Sequence, residues 1–170
     1  MPFNLSLPNL ILSLALLLLF SCGSERHNPL GLANQEISYV LLSGSERLYK
    51  ASCTLTQEKK NYKLSIKGTE KSEGIIFTVK NIKALKPQVL RFNREVSVIV
   101  NEKPDKDLNI YVSSGCKENS GTLEIVDWDK RNKTITGTFA GPICTRGIFA
   151  HLPSTEIKEG AFYKVKYNVK

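Results

Sequence analysis

From Ile37 to the C-terminus, apolar and polar residues alternate with a period of two. In Tyr49-Lys50-Ala51-Ser52-Cys53-Thr54-Leu55 the apolar set is odd and the polar set even. In Tyr62-Lys63-Leu64-Ser65-Ile66-Lys67 the same alternation returns with the parity changed. A period of two places successive side chains on opposite faces of a strand. Further segments of this kind are Ile37–Leu42, Ile75–Val79, Val89–Phe92, Glu95–Val100, Asn109–Ser113, Thr122–Asp127, Thr134–Phe139, Arg146–Ala150 and Phe162–Val169. Turn-forming pieces separate them, among them Ser43-Gly44-Ser45 and Glu118-Asn119-Ser120-Gly121. No segment has a clear helical period, and only Val79–Lys86 is ambiguous. Short strands between frequent turns predict an all-β fold, an antiparallel sandwich or a closed or semi-closed barrel of about 8–11 strands.

The final third allows a register to be proposed. Leu123 and Ile125 share one face, Ile135 and Phe139 the matching face of the next strand, and a polar turn joins them. If that turn centres on Lys130, Leu123 faces Gly137, Ile125 faces Ile135 and Gly121 faces Phe139. An aromatic ring over a glycine is a favourable cross-strand pair. Carried further, the same register sets Cys116 opposite Cys144, within the separation that a disulfide tolerates. A Cys116–Cys144 bond is therefore expected. Cys53, on the apolar face of its strand, is expected to stay free as a small hydrophobe. Trp128 is even-numbered where odd positions face the core, so it is expected to lie exposed at the hairpin tip, a possible binding residue.

The N-terminus follows different rules. Leu10–Phe20 is almost wholly apolar, but too short for a bilayer span, which takes about 20 residues. It suits the apolar region of a signal peptide. It runs into Leu19-Phe20-Ser21-Cys22, which resembles the bacterial lipobox and reads F-S-C, as signals of Bacteroidota lipoproteins often do. That resemblance implies that residues 1–21 are cleaved and that Cys22 is the lipidation site, carrying diacylglycerol on its thiol. Two acyl chains anchor stably where one does not. Residues 22–35 then form the lipidated cysteine and a flexible tether, and residues 36–170 a single β domain. Gly23 in place of Asp argues, by the rule for Gram-negative lipoproteins, against retention at the inner membrane. The expected location is the cell envelope, at the outer membrane, on a face left open.

Charge adds little to this picture. The 170-residue chain carries a net charge of +8, with no charged side chain before Glu25. The lysines are scattered and several alternate with apolar residues, as on a solvated strand face. An attraction toward anionic lipid headgroups or envelope glycans is the functional alternative. An exported domain is not expected to meet nucleic acid.

Several segments together resemble a group of small Bacteroidota lipoproteins classed only as a domain of unknown function. They are the F-S-C motif, Gly44 before Leu48-Tyr49-Lys50-Ala51, Ser120-Gly121-Thr122-Leu123-Glu124-Ile125, Lys133-Thr134-Ile135-Thr136-Gly137-Thr138-Phe139 and Glu159-Gly160-Ala161-Phe162. The resemblance covers most of residues 40–167. It implies an all-β, lipid-anchored envelope protein and no catalytic residue.

Chemistry is sparse. There is no G-x-S-x-G, H-E-x-x-H, P-loop or G-x-G-x-x-G motif. With two histidines and no paired Cys spacing, zinc is not expected. His151, near Ser154, is a second possible binding residue. Asp127 and Asp129, and likewise Asp105 and Asp107, are read as turn caps before acid–base or calcium groups. The expected function is a non-catalytic binding or structural module for an envelope protein or glycan, without cofactor or metal. The alternative is a lipocalin-like carrier of a small apolar ligand.

Overall fold

A computed structural model describes residues 28, 30–102, 109–116, 121–145 and 154–170. Among them, ten strands form one sheet that closes into a ring: β1 (Glu36–Leu41), β2 (Glu46–Glu58), β3 (Asn61–Glu70), β4 (Glu73–Ile82), β5 (Gln88–Arg91), β6 (Val96–Glu102), β7 (Asn109–Val112), β8 (Thr122–Asp129), β9 (Thr134–Thr145) and β10 (Thr155–Val169). A single 3-10 turn, Ser113–Gly115, follows β7. Of the all-β architectures expected, sandwich or barrel, the closed barrel is what forms, and the ambiguous Val79–Lys86 begins as the end of β4. The expected strand Arg146–Ala150 lies outside the described residues.

Strands β2, β3, β4, β6, β7 and β9 run as antiparallel neighbours, and β10 closes the circuit. It lies antiparallel to β9 along most of its length and parallel to β2 at Tyr167↔Cys53, Asn168↔Thr54 and Val169↔Leu55. Beyond that parallel stretch β1 is wedged between them, pairing Ile37 with both Phe162 and Tyr49. A similar exchange occurs on the far side of β9. Its first half pairs with β8, and its end pairs with β7 through Thr145↔Tyr111 and Cys144↔Val112. The change of partner follows Gly141, at φ +141°, where an added Cβ would lie 2.2 Å from Gly121 Cα. Strand β5 adds to the outer edge of β8.

Alternation fills the ring. Leu55, Leu64, Ile66, Ile75, Phe77, Val98, Leu123, Ile135 and Phe162 are among the inward side chains and are buried. Phe77 and Phe139 meet edge to face with centroids 4.6 Å apart. The glycine–aromatic pairing is present, but with other partners than expected: Gly160 lies opposite Phe139, and Gly137 opposite Phe162. An added Cβ at Gly137 would lie 2.5 Å from the tip of the Phe162 ring.

The β8–β9 hairpin corrects the expected register. Leu123 faces Phe139 and Ile125 faces Gly137. Asp129 caps a wider turn by accepting a hydrogen bond from the Asn132 backbone N–H at 2.9 Å, which moves the turn centre past Lys130. A bulge between Ile125 and Asp127 then shifts the alternation by one. Trp128 therefore points inward, 6% exposed, with its ring 6.1 Å from that of Tyr167. The expectation of an exposed Trp128 is not met.

The Cys116–Cys144 disulfide is formed, with Cα atoms 5.3 Å apart. It does not arise from a straight continuation of the hairpin. Cys144 lies opposite Val112, and the 3-10 turn carries the chain on to Cys116. Cys53 is free and buried, as expected.

Two outcomes follow. The bond closes a loop with a sequence separation of 28. Replacing both cysteines by serine should lower the unfolding free energy by about 3–4 kcal/mol in a urea titration, on the chain-entropy model. Burial pushes the Cys53 thiol up to about 12. A thiol-specific reagent such as 5,5′-dithiobis(2-nitrobenzoate) should leave it unmodified in the native protein and titrate it once urea unfolds the barrel.

Candidate functional site

Residues 30–35, expected to belong to the tether, are fixed to the barrel. Asn28 holds Leu32 through two hydrogen bonds: its amide donates to the Leu32 carbonyl at 2.9 Å, and its side-chain oxygen accepts from the Leu32 N–H at 2.8 Å. Leu32 is buried. Ser38, Ala161 and Thr136 lie on the outward side of the sheet by alternation, yet all three are buried. Leu30 borders a small cleft of 240 Å³ over the same face, beside Glu124, Thr138 and Lys158. Gln35, at φ 63°, donates its N–H to the Tyr163 carbonyl at 2.9 Å and turns the chain into β1.

Where this segment ends, a polar groove of 610 Å³ opens on the outer face of β8, β9 and β10. Asn34 and Gln35 form one wall, Asp127 and Asp129 of β8 another, with Arg131 and Asn132 from the hairpin turn. Thr134 of β9 and Lys164 and Lys166 of β10 complete it. Two bulges build this lining. The first turns Trp128 inward and leaves Asp127 and Asp129 outside. The second, between Phe162 and Val165, keeps both of those residues buried while Lys164 and Lys166 stay exposed. Lys164 there has φ 43°, and its N–H donates to Thr136 Oγ1 at 3.1 Å.

The electrostatics are uneven. Asp129 is tied down, because the Asn132 side-chain amide also donates to its second oxygen at 2.6 Å. These bonds, the backbone one first, hold its carboxyl below the usual range. Arg131, Lys164 and Lys166 take no part in an ion pair among the described residues. The three ion pairs there are Arg47–Glu102, Lys50–Glu36 and Arg94–Glu95.

A second polar cluster sits inside the ring at one rim. Glu102, inward on β6 after Val96, Val98 and Val100, is 8% exposed. Arg47 Nε lies 3.3 Å from its Oε1, an ion pair without hydrogen-bond alignment. The buried rings of Tyr39 and Tyr49 stand 6.2 Å apart. Burial is the main cause that raises both hydroxyls above the usual tyrosine value. Burial also pushes the Glu102 carboxyl above the ordinary glutamate value; Arg47 offsets this only in part, and Glu73 adds to it.

The structure brings Asp127 and Asp129 into the groove and sets Trp128 on the inner side of the same strand. Cys116 and Cys144 are joined away from it. Cys22, His151, Asp105 and Asp107 lie outside the described residues. The reading by alternation missed Arg131, Lys164 and Lys166 as neighbours, and missed Asn34 and Gln35, which it assigned to the tether. No group of three or more metal-ligating side chains occurs among the described residues.

A family model described as a domain of unknown function, DUF6252, matches residues 43–166. No curated protein and no solved structure matches the chain.

The rim cluster gives a pH prediction. A carboxyl raised in the folded state favours folding while protonated, and that contribution is lost as pH rises through its folded value. Glu102→Gln stays neutral throughout. Its melting temperature should match that of the parent at pH 4 and exceed it increasingly toward pH 8, read by thermal denaturation at fixed ionic strength. A gap that shrinks with pH would show that the Arg47 attraction outweighs burial.

Proposed function

The chain belongs to the DUF6252 family, a domain of unknown function, and from that premise we propose that it is a non-catalytic binding module held at the cell envelope by lipid on Cys22. The F-S-C motif at Phe20–Cys22 supports the anchor and a Bacteroidota-type lipoprotein. The outer membrane is the proposed location.

The observation that carries the binding role is the groove of 610 Å³ on the outer face of the barrel, lined by polar side chains throughout. Its size falls within the range of about 300–1,000 Å³ common for ligand sites. The inward positions are occupied by wholly buried aliphatic and aromatic side chains. That filling favours a ligand held outside the ring over an apolar one carried within it.

Anchoring also limits where the groove can be. Six residue steps separate Cys22 from Asn28, the first described residue, which is hydrogen-bonded to the buried Leu32. At about 3.3–3.6 Å per residue, even a fully extended chain reaches about 20 Å. The barrel then stays close to the bilayer, within reach of other components of the same envelope.

Labelling cells with radioactive palmitate tests the anchor. The wild-type protein should carry label and fractionate with the envelope, and Cys22→Ala should carry none. Full-length, unlabelled protein in the cytosol would refute the proposal.

A further inference from the structure

We infer that the outer groove binds an acidic saccharide, a chain of hydroxyl-bearing rings with carboxylate or phosphate groups; this deepens the binding role proposed above and rests on it. Charge comes first. Arg131, Lys164 and Lys166 face the groove with Asp127 and Asp129. Both oxygens of Asp129 are engaged by Asn132, at 2.9 and 2.6 Å, so that carboxylate is committed to the turn. That bonding leaves its negative charge in place beside Arg131, so the groove sets three cations against two carboxylates, a surplus of one positive charge; no cation there is in an ion pair among the described residues, and Lys164 Nζ lies 5.2 Å from the centre of the Tyr163 ring. A surplus of cations gathered in a concave site raises the local potential for anions. Arg131 also offers a planar fork suited to carboxylate or phosphate.

The rest of the lining selects among anions. Asn34, Gln35 and Thr134 supply donors and acceptors of the kind that hydroxyl groups use, and Asp127 supplies a further acceptor. No aliphatic or aromatic side chain lines the groove, so nothing in it is suited to an acyl chain. An anionic bilayer would meet the Asp127 carboxylate and a recess, where cations that project outward would serve it better. A ligand rich in hydroxyls and negatively charged at intervals satisfies every group present.

The test uses the mature, acylated protein in detergent, titrated by calorimetry with oligogalacturonate, an acidic saccharide, and with dextran, a neutral one. Oligogalacturonate should bind at least tenfold more tightly than dextran and weaken steeply as salt is added. Arg131→Ala/Lys166→Ala should weaken it by tenfold or more with unchanged circular dichroism. Neither position has the left-handed backbone found at Lys164. Lys67→Ala, on the exposed face of β3, should bind as wild type does. Equal binding of dextran, lost in the double variant, would overturn the acidic class while leaving the groove as a binding site. Binding that the double variant does not alter would overturn the groove itself. No binding of oligogalacturonate, or tighter binding to vesicles containing phosphatidylglycerol, would overturn the saccharide.

Discussion

The closure of the sheet through β10 is the constraint on which the other features depend. A strand edge presents unpaired N–H and C=O groups, and a buried or exposed edge is a liability in either setting. Here the circuit is completed by three parallel pairs between β10 and β2, while β1 is wedged into the remainder of the gap. Parallel closure at one end and a wedge at the other require β10 to be long and to change neighbours along its length. Its 15 residues do so with two register shifts, after Ile157 and after Phe162. Each shift corrects the facing of the side chains that follow, so the core stays apolar although the backbone departs from regular pairing.

Those same irregularities determine how far the fold could be read from the sequence. Alternation is local, and where a strand is regular it located the element and its inner face: β2, β3 and β6 follow it directly. It shortened β9 and β10: β9 runs on through Gly141 and Pro142, which pair in register with Ile157 and Glu156, and β10 runs on through a bulge between Ile157 and Gly160. It also failed at Trp128, since parity cannot survive an inserted residue and nothing in Leu123–Asp129 announces one at Val126. The disulfide was identified by a register that the hairpin does not have. The two cysteines meet because the 3-10 turn after β7 carries Cys116 back toward β9.

The groove illustrates why a site can be invisible while its residues are in plain view. Asp127 and Asp129 drew attention as a pair, and lysines alternate through the last strand. Their meeting depends on a bulge in β8, another in β10, and a segment before β1 that crosses the outer face before Gln35 turns it inward. Each is a non-local or single-residue event. The half-buried pair Arg47–Glu102 is similar, since it joins the start of β2 to the end of β6 across the mouth of the ring.

The distribution of charge separates these two places in kind. Inside the rim, Glu102 has lost solvent, and its attraction to Arg47 is set against that loss. In the groove, Arg131, Lys164 and Lys166 remain exposed to solvent. The net charge of +8 is therefore a poor guide to function when taken as a sum. Most of the lysines sit singly on solvated strand faces, as their alternation indicates. What distinguishes Arg131, Lys164 and Lys166 is convergence, and convergence is a product of the bulges that closing the barrel requires.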